Sequence, residues 1–376
     1  MSLFVEYHLI QNFAPSNLNR DDTGAPKDAV FGGHRRARVS SQCQKHSIRR
    51  EFAKHELIPQ GNRGIRTRKL RGLLLKHLSG RDRDEAESRI EAALGAVGLA
   101  LKDGMTQYLL FLGEQEVAGF AGLIEQHWDD LTVDVGKKSK KDARAAVPAE
   151  IVKKAKAILD GGRAVDVALF GRMIAHLPEG KKDAACQVAH AISTHRVERE
   201  FDYYTAVDDV SEDDETGVPM IGHVEFNSAT FYRYAVLDAD KMIANLQGER
   251  ELAISAIGAF TEAIVRAIPT GKQNSFAAHN PPEFIGVSLR RAMPMNLANA
   301  FEKPVIARAG ESLTGQSVSA LADYEAGLAP IYGSPQDQWL YLDLTGRWPK
   351  NNGEAQASLS DLAKRVSELV AEYWGD

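Results

Sequence analysis

The stretch Asn19-Arg20-Asp21-Asp22, Pro26-Lys27-Asp28, Phe31-Gly32-Gly33-His34-Arg35-Arg36-Ala37-Arg38 and Ser40-Ser41-Gln42-Cys43-Gln44-Lys45 decides how this chain is read, because cations crowd into it. Residues 20–72 hold 14 Lys or Arg against 5 Asp or Glu, nine net positive charges, while the rest of the chain holds 32 against 46, fourteen net negative. The overall charge of −5 therefore conceals a strongly polar molecule. A basic block in an acidic chain is the electrostatic footprint of a protein that grips phosphates along one surface and presents acid elsewhere.

Within the block, Ser41 with Gln44 three residues later reads as a capping box and predicts a helix over 42–54. Gln42, Lys45 and Arg49 recur at i, i+3 and i+7 and share one face of it. The stripe starts at a helix N-terminus, where unpaired N–H groups and the dipole favour an anion; spacing alone fits a solvated face equally well. Upstream, Arg36 and Arg38 point one way from an extended segment with Ala37 and Val39 opposite, and Gly32-Gly33 would let backbone approach a ligand closely. The alternative for Arg35 and Arg36 is pairing with Asp21, Asp22 and Asp28 inside the fold. Arg20 and Lys27 are the preferred phosphate ligands of the loop.

Outward from the block, residues 4–10 alternate like a strand, with Val5, Tyr7 and Leu9 on one face and Glu6 and His8 on the other. The region after residue 56 reads as mainly helical: Ile90, Leu94, Val97 and Leu101 keep helical spacing, and Pro148 precedes Ile151, Ala155 and Ile158 before Gly161-Gly162 stops the run. Val165, Val167 and Leu169 alternate as a strand; residues 203–207 and 224–234 predict two more, joined by the acidic stretch 208–217 in a hairpin. Ile254, Ile257, Thr261, Ile264 and Ile268 mark a helix, 284–289 a strand, and Leu359, Leu362, Val366, Leu369 and Tyr373 a last helix. Strands interleaved with helices give an α+β class.

At 376 residues the chain has room for one elaborate domain or two ordinary ones. Glu6, His8 and Gln11 interrupt the N-terminal apolar residues, so neither a signal peptide nor a membrane span is expected; the reading is a cytoplasmic protein without a membrane partner. Cys43 and Cys186 lack any CxxC partner, which predicts free thiols, no zinc site and no cofactor.

Three further segments extend the pattern: Ala189-His190-Ala191-Ile192-Ser193-Thr194-His195, Thr205-Ala206-Val207-Asp208-Asp209 and Asn296-Leu297-Ala298-Asn299-Ala300-Phe301-Glu302-Lys303. With the basic block, in this order, they make the chain resemble the CasC family, the crRNA-binding backbone subunits of type I-E CRISPR Cascade complexes. The resemblance implies a noncatalytic antiviral-defence protein that polymerises head to tail along the guide as a helical ribonucleoprotein filament, beside other Cascade subunits. It would hold the sugar-phosphate chain and present the spacer for pairing with target DNA. The implied fold is an RNA-recognition-motif (ferredoxin-like) palm over 1–56 and 181–376, helical fingers over 57–180 and a β-hairpin thumb over 197–230.

Residue by residue, the resemblance carries guide contacts onto Lys27, Ser40, Gln42 and Lys45, with a basic residue expected at Arg49. It also places Met173 of Gly171-Arg172-Met173 near the guide's kink, and Tyr204 with Thr205 on the thumb. Alone, Met173 would read as a core filler and Tyr204 as a packing aromatic. The run Lys137, Lys138, Lys140 and Lys141 is either solvated surface or a contact for target DNA. Asp208, Asp209, Glu212, Asp213, Asp214 and Glu215 would face a neighbouring subunit or solvent.

The first strand offers only Phe4 and Tyr7 where base-stacking RNA-recognition motifs carry an aromatic consensus, so sequence-specific readout is not expected. RNA-guided effectors delegate sequence to base pairing. The rival reading is a type III-like backbone subunit that cuts RNA with a metal held by Asp21, Asp22 or Asp28. Against it, a carboxylate beside Arg20 more plausibly orients a cation, and the chain has no HExxH, P-loop or nucleophile elbow. His190 and His195 read as packing or hydrogen-bonding residues.

Overall fold

The computed structural model describes residues 2–131, 147–160, 162–174, 180–205 and 221–375. In chain order these form β1 (Phe4–Ser16), β2 (Asp28–Phe31), β3 (His34–Val39), α1 (Ser41–Lys54), β4 (Gly64–Thr67), α2 (Leu70–His77), α3 (Arg83–Ala96), β5 (Leu101–Lys102), β6 (Met105–Thr106), β7 (Leu110–Gly113), α4 (Glu114–Gln126), α5 (Ala149–Asp160) and α6 (Val165–Phe170). Then follow β8 (Cys186–Val188), β9 (Ala191–Ser193), β10 (Glu200–Thr205), β11 (Ile221–Asp238), α7 (Ala239–Asn245), α8 (Arg250–Arg266), α9 (Gln273–Phe276), β12 (Phe284–Arg290), α10 (Leu313–Tyr332), β13 (Gln338–Asp343), β14 (Glu354–Ala355) and α11 (Leu359–Gly375). The class is α+β. The chain divides into one compact unit of Met1–His55, Gln187–Asp238 and Ile257–Asp376 and a second of Glu56–Cys186 and Ala239–Ala256.

In the first unit the sheet runs β14-β13-β12-β1-β11-β9-β3-β2. β1 lies antiparallel between β12 and β11, with Val5 opposite Leu289 on one side and Leu237 on the other, and β11 is antiparallel to β9. Taking β1, α1, β9, β11, α8 and β12 alone, the order is β-α-β-β-α-β with the first strand between the fourth and the third, the ferredoxin-like arrangement. The odd residues of β1 face α8: the Tyr7 hydroxyl lies 3.0 Å from Thr261 Oγ1, and its ring meets Phe260 edge-on at 5.1 Å.

The even face is covered as well, so the polar side of β1 is not a wet side. Ile10, Tyr232, Phe284, Leu297, Phe301, Val318, Leu321 and Trp339 form one buried cluster over it, supplied partly by α10 and by the 3-10 turn Leu297–Phe301. Glu6 and His8 are buried there because each finds polar partners. The Glu6 carboxylate accepts from Tyr234 Oη at 2.7 Å, from Ser288 Oγ at 2.8 Å, and from the Arg290 guanidinium and the Met295 N–H. Tyr232 Oη accepts from the Leu297 N–H at 3.2 Å and lies 2.9 Å from His8 Nδ1, which fits a neutral ring accepting the tyrosine proton. Burial pushes the His8 pKa down in the same sense. Burial would raise Glu6, but hydrogen bonds from His8 and Tyr234 and the charge of Arg290 outweigh it and hold the carboxyl below its ordinary range. With His8 neutral, Arg290 is the cation that matters. The network ties the Met295–Phe301 segment down onto the sheet.

In the second unit, α2 to α5 close over Leu74, Ile90, Phe120, Ile124 and Ile151, with two short ladders, β4–β7 and β5–β6. Val165, Val167 and Leu169, expected as a strand, belong instead to helix α6, in which every residue is buried. A helix buried on all sides shows no apolar period of its own, so alternation there was misleading. Arg172 follows, also buried; it donates to both Glu116 oxygens at 2.8 and 2.7 Å and to the carbonyls of Gly180 at 2.7 Å and of Leu159.

Candidate nucleic-acid interface

Helix α1 starts one residue earlier than the sequence suggests. Ser40 is the cap, its Oγ accepting the Cys43 N–H at 3.3 Å. Gln44, expected to complete a capping box, is buried and donates to the Ala189 carbonyl at 2.8 Å. The loop before the helix is stitched to it: Ser40 N donates to Asn19 Oδ1 at 2.8 Å, Lys27 N to the Asn19 carbonyl at 2.8 Å, and Arg38 N to the Lys27 carbonyl at 2.9 Å. Asn19, Lys27, Arg38 and Ser40 thereby form one ledge in front of α1, which carries no acid in its first turn.

On this ledge Arg38 donates from Nε to the Asp28 carbonyl at 3.0 Å, and its Nη1 lies 2.9 Å from His190 Nδ1. Partial burial and then the nearby charges of Arg38 and Lys27 push the His190 pKa down, which fits a neutral ring that accepts from Arg38 at Nδ1 and keeps its proton on Nε2. Cys43 is buried enough for its thiol pKa to rise, although Lys27 pulls against this. Lys27, Arg38, His190 and the first turn of α1 thus converge. Gln42 is exposed, and Lys45 and Arg49 are half-buried further along the same helix. An anion here would meet free helix N–H groups, two cations and a neutral donor. Arg20 stands exposed on the loop, bridged through its backbone to Pro26.

Arg36 is elsewhere. Its guanidinium is wholly buried and donates to four carbonyls: Phe31 at 3.3 Å, Ser193 at 3.0 Å, Phe301 at 2.7 Å and Glu302 at 3.1 Å. The expectation that it faces phosphate beside Arg38 is corrected: every side of the group is occupied by protein. Ala37 on the opposite face is buried as well, so β3 is covered on both sides there, while Arg38 two residues on is only half-buried. Gly32 serves the same packing, since its φ is +58° and a Cβ there would lie 1.8 Å from the Glu302 carbonyl oxygen. Arg35 pairs with Asp28, the alternative the sequence left open.

The hairpin of β10 and β11 continues past β1, whose pairing with β11 ends at Asn227, while residues 200–205 pair with 221–226. Its base is anchored to the basic loop: Arg199 bridges Asp28 at 3.0 Å and Glu225 at 3.1 Å, and Asn17 Nδ2 donates to the Glu225 carbonyl at 2.8 Å. Tyr204 is 42 % exposed beside Gly222, and Phe201 and Tyr203 are exposed more fully. Thr205 ends β10; residues 206–220, including the acidic stretch, lie outside the described residues. In the second unit Met173 is 80 % exposed, not core. It follows Gly171, where φ is +72° and a Cβ would sit 2.8 Å from the Lys182 carbonyl, and the anchored Arg172. A fixed turn pushes this methionine outward. Lys137, Lys138, Lys140 and Lys141 lie outside the described residues.

Sequence reasoning missed His190 as a member of the ledge and Arg199 as the hairpin's anchor. The motif around His190 was visible, but its pairing with Arg38 joins residues far apart in the chain. No helix among the described residues is long and apolar enough to cross a membrane.

A family model described as CT1975-like protein matches residues 5–368. Among solved structures, a chain of a CRISPR RNA-guided surveillance complex described as pre-nicking is 30% identical, with a TM-score of 0.84, 98% of this chain and 100% of that chain being covered. A chain of another CRISPR RNA-guided surveillance complex is 26% identical with a TM-score of 0.73, over 97% and 99% of the two chains. No curated protein matches.

Proposed function

The chain belongs to the CT1975-like protein family, and from that premise we propose that it is a crRNA-binding backbone subunit of a CRISPR surveillance complex, of type I-E, that polymerises along its guide. The observation that carries this is the ledge of Lys27, Arg38 and His190 at the acid-free N-terminus of α1, continued by Gln42, Lys45 and Arg49. Such an array grips sugar-phosphate without reading bases. The sheet face that an ordinary RNA-recognition motif uses for stacking is buried here under α10 and the 295–301 segment, which supports backbone gripping over base readout. Exposed Tyr204 on the hairpin and exposed Met173 on its rigid turn suit contacts that prop or wedge individual nucleotides. Target DNA would then be recognised by pairing with the guide, and further copies and other subunits of the complex are the protein partners.

The competing nuclease reading has less support. Asp21 Oδ1 accepts from the Thr23 N–H at 2.9 Å, Thr23 Oγ1 at 2.7 Å and the Ala25 N–H at 3.1 Å, and Asp28 is shared by Arg35 and Arg199. Both carboxylates are turn and hairpin fasteners. The test is co-expression with a repeat–spacer transcript. A discrete RNA that co-purifies and is protected at regular intervals is expected; absence of bound RNA overturns the proposal. Adding complementary RNA and Mg²⁺ to that complex should leave the RNA intact. A regular cleavage ladder that disappears in Asp22→Ala would make the chain a nuclease.

A further inference from the structure

Part of the basic block lies in the second unit and is not used by the ledge. Arg63, Arg66, Arg68, Lys69 and Arg71 fall within nine residues without an acid among them. Arg71 is paired with Glu87 and Glu91, each at 3.1 Å, but Arg66, Arg68 and Lys69 are exposed. Arg66 lies over the Phe111 ring at 4.5 Å. Arg68 is fixed to the β5–β6 hairpin: its Nε donates to the Thr106 carbonyl at 3.0 Å, and its own carbonyl accepts the Thr106 N–H at 2.9 Å.

Thr106 is also a wall of a cleft of about 210 Å³, lined with Gly98, Leu99, Gln107 and Tyr108 among others. Tyr108 is 50 % exposed and the neighbouring Leu109 61 %. Arg66 on β4 and Arg68 and Lys69 just after it, beside a cleft with an exposed aromatic and a side-chain amide, form a combination that suits a single strand: phosphates on the cations, a base stacked on the ring. A duplex would hide its base faces from such a cleft.

We infer that the Tyr108 cleft with Arg66, Arg68 and Lys69 is a second nucleic-acid site, which holds one unstacked base of a single-stranded polynucleotide and the phosphates next to it. The identification of that polynucleotide as the DNA strand displaced when a target pairs with the guide rests on the proposed function; the cleft's preference for single strands does not.

The experiment uses guide-loaded protein, so that the ledge is filled, and a fluorescent noncomplementary single-stranded DNA. Tyr108→Ala should weaken binding about tenfold, and Lys69→Ala should lower the slope of log affinity against log salt by about 0.7. Guide content and melting temperature are read on the same preparations and should match the unaltered protein. Photocrosslinking of a 5-iodouracil oligonucleotide to the unaltered protein should mark Tyr108, which keeps the test open if a variant misfolds. Unchanged binding in both variants, duplex bound as well as single strand, or no crosslink at residues 98–110 overturns the site. Loss of guide in step with loss of oligonucleotide binding also overturns it, by placing these residues on the guide face. A preparation that carries no guide at all refutes the proposed function while the oligonucleotide assay still reads the cleft.

Discussion

Replacing Arg36 separates a structural arginine from a phosphate ligand. Its four carbonyl acceptors come from three places in the chain: Phe31 in the hairpin, Ser193 at the end of β9, and Phe301 with Glu302 after the 3-10 turn. Arg36→Ala would leave them facing a cavity. Bonds to a charged donor contribute about 1.5–3 kcal/mol each before competing terms, and release from burying a guanidinium, together with water entering the space, offsets much of the sum. The expected net loss is about 3–5 kcal/mol. Arg36→Met, which keeps much of the volume but no donor, should lose nearly as much, while Arg36→Lys, with one compact donor group, should fall between. Urea unfolding of RNA-free protein, followed by tryptophan fluorescence, measures this. The fraction that remains folded should bind RNA with an unaltered salt slope. If Arg36→Ala costs under about 1 kcal/mol and lowers the RNA salt slope by about 0.7, the guanidinium is a phosphate ligand and the burial argument fails.

Lys45→Ala should weaken guide binding equally for unrelated guide sequences and lower the single-strand salt slope by about 0.7, as titrations at several salt concentrations would reveal; sequence-selective loss would contradict it. Tyr204→Ala should leave the protein folded but impair regular assembly on a long RNA, measured by sizing the complexes; normal-length, evenly spaced assemblies would reduce Tyr204 to packing. Glu6 falls from an ordinary value of 4.5 to about 2 in the folded protein. Because the folded value is the lower, its stabilisation is present above the ordinary carboxylate range and lost as pH drops toward 2. Acid unfolding of Glu6→Gln should lack that component; identical acid profiles would refute the assignment.

How much of this was legible in the sequence depended on whether a residue's neighbours were local. The stripe Gln42, Lys45 and Arg49 follows from helical period alone, and α1 is where the period puts it. Arg36 was misplaced because β3 is covered on both faces at residues 36 and 37, so alternation cannot tell a wet side from a dry one; its acceptors Ser193 and Phe301 lie far away in sequence. Alternation separated Glu6 and His8 from the apolar face of β1, but nothing local in the sequence shows that their face is covered as well. The compensating partners, Tyr234, Ser288, Arg290 and Tyr232, sit on two other strands, β11 and β12, and only tertiary structure brings them together. Taken alone, without the resemblance that put it near the guide, Met173 reads as core because methionine usually is, whereas its exposure is set by Gly171 and the buried Arg172 before it.

One buried network also explains why the cations lie where they do. A ferredoxin-like sheet has one face covered by its two helices and a second face free for ligand. Here Glu6, His8, Tyr232 and Arg290 fasten the 295–301 segment over that second face, and Arg36 fastens the same segment from the hairpin side. With both faces closed, the proposed reading puts this sheet's contact with a long polyanion at its rim, where the loop before α1, the helix N-terminus and the base of the β10–β11 hairpin are stitched together by Asn19, Asp28 and Arg199. A rim of cations and N–H donors contacts phosphate and ribose but gives a base nothing to pair with. On the proposed reading the closed sheet therefore leaves base edges unread by the protein, as a subunit that must accept any guide requires.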